Sequence, residues 1–106
     1  MSAETLKTAV LAALEDIKAI DTVVIDVKAL TPLADYIIVT SGRSTRHLQA
    51  IADHVTEAAK KLGVKPIGVE GEAGSEWVLV DLGDIIVHAM QPAVREYYQL
   101  EKLWLV

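Results

Sequence analysis

The chain has no cysteine among its 106 residues, and that one absence removes disulfides, thiolate metal sites and cysteine nucleophiles together. It suits a reducing compartment. No apolar run approaches the roughly 18 residues needed to span a bilayer. Residues 1–11 carry Glu4 and Lys7 and hold no uninterrupted apolar core, so they are not expected to act as a signal peptide. A cytoplasmic location is the expectation. Basic residues are also few: ten Lys and Arg stand against fifteen Asp and Glu, a net charge of −5. Only Lys60 and Lys61 are adjacent. Direct binding to a nucleic-acid backbone normally needs a basic face. An acidic domain is better matched to a basic protein partner, because opposite potentials steer encounter. The plainer alternative is that modest negative charge keeps a small protein soluble. Linkers, internal repeats and low-complexity tracts are missing too.

What is present is apolar: 52% of the residues are hydrophobic, which argues for a packed core. The length allows one domain, residues 1–106, with a single core. Ser2 is placed to cap a first helix, with Leu6, Val10, Ala13, Leu14 and Ile17 as its buried stripe and an end near Ala19. Residues 22–27 are a β-branched run and predict a strand with Val23, Ile25 and Val27 inward and Asp26 outward. Thr31-Pro32-Leu33 makes the connection. Residues 35–40 are apolar on both faces and predict a central strand. A polar turn, Ser41-Gly42-Arg43-Ser44, then feeds a helix capped by Ser44 or Ser41. Its stripe is Leu48, Ile51, Ala52, Val55, Ala59 and Leu62, and Gly63 stops it. Residues 64–69 form a short strand that Pro66 assigns to an edge or a strand start. A Gly-rich acidic loop follows, then two more strands, and Pro92 opens a last helix running through Trp104.

Those last two strands matter most. Two apolar runs flank Gly83-Asp84, the pattern of a β-hairpin. Pairing Val80 with Val87 and Val78 with Ala89 makes one face small and aliphatic. Alternation then sends Trp77, Leu79, Asp81, Ile86, His88 and Met90 to the other face. A core seldom mixes Trp, Met, His and a carboxylate in that way, whereas an interaction surface often does. The order α-β-β-α-β-β-β-α predicts an α/β (α+β) fold, a mixed five-stranded sheet with helices mainly on one face. If all three helices cover the aliphatic side, the Trp77 and Met90 side is left bare.

Three blocks then carry a family resemblance. The first runs from Asp35-Tyr36-Ile37-Ile38-Val39-Thr40-Ser41-Gly42-Arg43-Ser44-Thr45-Arg46-His47 to Ile51-Ala52-Asp53-His54-Val55. The second is Gly68-Val69-Glu70-Gly71-Glu72 with Glu76-Trp77. The third is Val80-Asp81-Leu82-Gly83-Asp84-Ile85-Ile86-Val87-His88-Ala89-Met90, with Tyr98 and Leu100-Glu101-Lys102-Leu103-Trp104. In these blocks the chain resembles the bacterial ribosomal silencing factors, also called RsfS, YbeB or Iojap-related. The resemblance implies a nucleotidyltransferase-like domain that needs no catalysis, cofactor or metal. It implies a translational repressor that binds the large ribosomal subunit through the ribosomal protein numbered fourteen. Joining of the small subunit would then be blocked in starvation or stationary phase. It also implies a homodimer when the protein is free.

On that reading Trp77 and Met90 form the apolar centre of a docking face, with Leu79 and His88 beside them. Asp81, Glu70 and Glu72 supply an acidic rim. Arg43, Arg46 and Tyr98 are secondary candidates, the two arginines for a minor contact with ribosomal RNA. The plainer alternative packs this face inside a homodimer or under a loop. A second class is a nucleotidyltransferase-like enzyme. The Thr40-Ser41-Gly42-Arg43-Ser44 turn would take phosphate at a helix N-terminus. Glu70, Glu72 and Asp26 or Asp81 would hold metal. That turn has one glycine and no Walker-type pattern, so a capped helix start with solvated neighbours is much the better reading. His47 and His54 stand two helical turns apart, roughly 10 Å, too far to share one ion. Tyr97 and Leu100 are expected to pack on the sheet, and Trp104 to close the core or join a dimer contact, core packing being the better reading.

Overall fold

The computed structural model describes residues 2–71 and 74–104. Helix α1 (Ala3–Asp16) begins where Ser2 Oγ accepts the Thr5 N–H, and it buries Leu6, Val10, Ala13 and Leu14. It stops three residues before the predicted end. Lys18 turns left-handed at φ 60°, so that Ala19 N–H reaches back to Leu14 O and Lys18 N–H to Glu15 O. These two bonds close the helix in the manner of a Schellman motif, with lysine where glycine is usual. Early termination lets β1 (Ile20–Asp26) start two residues sooner than predicted.

The predicted order of elements is the observed one. Strand β2 (Tyr36–Ser41) is buried along its whole length. Helix α2 (Thr45–Lys61) is capped by Ser44, and its stripe buries the predicted Leu48, Ile51, Ala52, Val55 and Ala59. Strand β3 (Gly68–Glu70) is short, and Pro66 lies just before it. The hairpin β4 (Trp77–Asp81) and β5 (Ile85–Met90) has the predicted register, Val80 opposite Val87 and Val78 opposite Ala89. Helix α3 (Pro92–Tyr98) ends at Gln99, and a 3₁₀ turn (Leu100–Trp104) follows. The sheet runs β1-β2-β5-β4-β3, with β2 and β5 parallel and the other pairs antiparallel.

The main core lies between the sheet and the pair α1/α2. There Leu6, Val10, Leu14, Leu48, Ile51 and Val55 meet Ile38, Val78, Val80, Val87 and Ala89. Tyr36 ties the N-terminus to this layer: its hydroxyl donates to Glu4 and accepts from Lys28 Nζ. The hydrogen bond from Tyr36 is the chief reason the Glu4 carboxyl sits below its ordinary range.

One expectation is corrected. The other side of the sheet is not bare. Only Gln91 separates β5 from α3, so the chain folds back across the sheet's second face. Val94, Leu100 and Trp104 pack there over Val39, Ile37 and Met90, making a second, smaller core. Leu100 and Trp104 therefore pack as expected. Tyr97 does not: it is 81% exposed. The inward set of β1 is graded. Val27, just past β1, is fully buried in the second core, Ile25 packs against that core half-buried, and Val23 on the edge strand is exposed.

Candidate protein-docking face

The register of the sheet assembles the candidate residues across its second face. Leu79 pairs with His88 on one side and with Glu70 on the other, and His88 pairs with Val39 of β2. Glu70, Leu79, His88 and Val39 therefore form one row. Asp81 lies in the next row opposite Ile86, and Trp77 lies opposite Met90 in the row beyond Leu79. Trp77, Leu79, Asp81, Ile86 and His88 are all half-buried, and Glu70 is exposed at the edge. Glu72 lies outside the described residues.

Met90 departs from the expected role. It is 0% exposed and belongs to the second core, so it supports the face from beneath and contacts nothing outside. The open part of the face is what α3 and the 3₁₀ turn leave uncovered. Its centre is the Trp77 side chain, held on two sides. The indole Nε1–H donates to His88 Nδ1 at 3.1 Å. The Tyr98 ring sits 5.1 Å from the Trp77 ring at 52°, and Tyr97 meets Tyr98 edge-on at 5.0 Å. Tilted rings at these separations attract beyond their area burial. Tyr98, a secondary candidate, is thus part of the main patch. Burial holds the His88 imidazole below its usual pKa.

All but the last residue of the chain is accounted for by one family. A model described as ribosomal silencing factor during starvation matches residues 1–105. The chain belongs to the ribosomal silencing factor family. The ribosomal silencing factor RsfS of Chromobacterium violaceum is 44% identical over 104 residues, covering 98% of this chain and 85% of that protein. A crystal structure of a Chromobacterium violaceum protein superposes with a TM-score of 0.94 at 44% identity, covering 98% of this chain and 87% of that one. Mouse mitochondrial assembly of ribosomal large subunit protein 1 is 38% identical over 87 residues, covering 79% of this chain and 38% of that protein. Ribosomal silencing factors are regulators of translation associated with the ribosome, and membership points to a regulator rather than an enzyme.

Local bonding bears on the enzymatic alternative. A phosphate at the 41–44 turn would need free backbone N–H groups. Here Gly42 N–H donates to Met90 O, Arg43 N–H to His47 Nδ1 and His47 N–H to Ser44 Oγ. Those donors are spent inside the fold. His47 also bonds the Ile17 carbonyl through Nε2, which pins α2 to the end of α1. Two of the candidate carboxylates hold local turns: Asp81 accepts the Gly83 N–H in the hairpin turn, and Asp26 accepts the Lys28 N–H. Among the described residues no group of three His, Asp or Glu side chains is placed to hold a metal ion. Arg43 and Arg46 are exposed in and just after this turn, at the Met90 end of the sheet, and Arg43 also donates to Lys18 O.

A concavity of about 770 Å³ lies in the furrow between α1 and α2, lined by alanines of both helices with Asp16, Asp53, Glu57, His54 and Lys61 around them. It reflects small side chains along two packed helices. Arg95 is the residue that sequence reasoning missed. Its guanidinium bonds Glu101 through Nε and Nη2, each at 3.2 Å, and Ser41 Oγ at 3.0 Å. That network straps α3 and the 3₁₀ turn to the end of β2. The available signal was Pro92, a helix start one residue after the strand, which left room only for a short return.

Proposed function

We propose that this chain represses translation by docking on the large ribosomal subunit and obstructing the small one. Its second sheet face is the docking surface, and the large-subunit protein numbered fourteen is its partner. What supports the reading is one juxtaposition: a half-exposed Trp77 framed by aromatic rings, with Leu79 beside it and Glu70 and Asp81 along the same face. An indole centre supplies contact area, and a carboxylate rim suits a basic ribosomal protein. The mouse relative's name, which refers to assembly of the large subunit, agrees with a large-subunit target. No chemistry is required, only a slow enough off-rate and enough bulk. Arg43 and Arg46 are available for a minor contact with RNA. In the free state the same face is proposed to close a homodimer, which must open before docking.

Co-sedimentation with purified large subunits tests this directly. Trp77→Ala should weaken binding by about 2 kcal/mol or more, roughly thirtyfold in Kd. Because Trp77 also packs on the second core, circular dichroism must show the variant folded at the assay temperature. Leu79→Arg, a half-exposed position with less packing to lose, should weaken docking similarly by setting a positive charge against a basic partner. Unchanged sedimentation of both folded variants would remove this face from the site.

A further inference from the structure

We infer that His88 is a positioning residue for Trp77: its Nδ1 lone pair holds the indole in its docking orientation, so that docking weakens when the imidazole takes up a proton. The inference rests on the docking reading above. It starts from an asymmetry of donors and acceptors. The indole N–H can only donate, so a hydrogen bond at 3.1 Å requires an unprotonated Nδ1 on His88. The imidazole proton therefore sits on Nε2. A second proton would go to Nδ1, the atom already receiving the indole N–H. Two donors would then face each other, and the indole would have to turn away.

The surroundings give the charged form little help. On β5 itself the same-face neighbours of His88 are Ile86 and Met90. On β2 they are Ile37, Val39 and Ser41, and on β4 Trp77 and Leu79, none of them charged. Asp81 lies one row away with an oxygen committed to the hairpin turn, and Glu70 lies beyond Leu79 at the exposed edge. On α3, Arg95 is spent on Ser41 and Glu101, and the Tyr97 and Tyr98 rings are uncharged. Burial accordingly lowers the imidazole's proton affinity from the ordinary 6.5, so the change falls below that pH. Trp77 has little slack to absorb it, since the Tyr98 ring also packs against the indole. His88 thus acts through Trp77, and the indole N–H is not available to the partner.

Two measurements test this. Nitrogen-15 NMR of the wild-type chain should show Nδ1 of His88 unprotonated at neutral pH. The Trp77 indole resonance should shift with the same midpoint as the imidazole, below 6.5. A protonated Nδ1 at neutral pH, or an indole signal indifferent to that titration, would overturn the inference. The second measurement is the ratio of Kd for large subunits at about one pH unit below the midpoint found by NMR to that at about pH 7.5, in wild type and in His88→Asn. Asn offers an acceptor oxygen in place of Nδ1 but does not titrate. The wild-type ratio should exceed the variant's by roughly threefold or more, whatever the variant's absolute affinity, with the partner's own titration cancelling between them. Equal ratios sink the inference while leaving the docking reading intact. Absence of wild-type docking at neutral pH sinks the docking reading, and the inference with it. If His88→Asn does not fold, the NMR measurement alone decides.

Discussion

Single residues on this sheet divide by depth rather than by type. Trp77 and Met90 sit opposite each other on adjacent strands, and their chemistry alone made them equal candidates for a contact surface. Folding separates them. Met90 is sealed beneath Val94, Leu100 and Trp104, whereas Trp77 stays half-exposed. The two should therefore fail differently. Met90→Ala leaves a cavity in the smaller core and should cost about 2–5 kcal/mol of stability, read as a lower denaturant midpoint with the slope unchanged. At a temperature where that variant is still folded, its docking should stay within a few-fold of wild type. A Met90→Ala protein of unchanged midpoint but abolished docking would contradict this division. Alternation showed which side each residue faces. It could not show depth, because depth depends on a helix arriving from elsewhere in the chain.

At the scale of elements, most boundaries were legible and the exceptions share a cause. Caps, stripes and the hairpin register follow local rules, and Ser44, Leu48 to Ala59 and the Val80–Val87 pairing lie where those rules put them. The end of α1 does not. No glycine marks it, and Lys18 carries the left-handed turn instead. An L side chain there pays a steric cost that glycine avoids. The Lys18 carbonyl, which accepts from Arg43, is unaffected by substitution. Lys18→Gly should thus stabilise the domain by roughly 0.5–1 kcal/mol, a rise of several degrees in Tm for a chain this size. A lower Tm would mean that the Lys18 side chain contributes something its exposed position does not suggest. Likewise, the return of α3 over the sheet depends on Arg95 reaching Glu101 and Ser41, residues six positions ahead and fifty-four behind. Such contacts are invisible to periodicity, and for that reason the second face was expected to be bare.

For the molecule as a whole, one sheet serves two layers unequally. Two long helices close the centre of its first face, leaving Val24 and Val69 exposed on the edge strands, and one short helix closes part of its second, leaving an aromatic patch beside carboxylates. The net charge of −5 gives that geometry a kinetic consequence. An acidic domain approaching a basic protein is steered at long range, and salt screens the steering over a Debye length of about 8–10 Å near physiological ionic strength. In the proposed complex the packed indole and Leu79 would hold the domain by short-range contact, which salt affects far less. Association and dissociation should therefore respond differently to salt. Raising ionic strength from about 0.05 to about 0.3 M should slow association with large subunits several-fold and change the off-rate by less than about twofold. Replacing Glu70 with Gln should flatten the salt dependence of association without accelerating release, since that carboxylate lies at the exposed edge. Leu79→Arg should do the reverse to the bound state and speed release. Stopped-flow mixing at several salt concentrations separates the two rates. An association rate indifferent to salt would mean that the carboxylates do not face the partner, and docking would then have to use another surface.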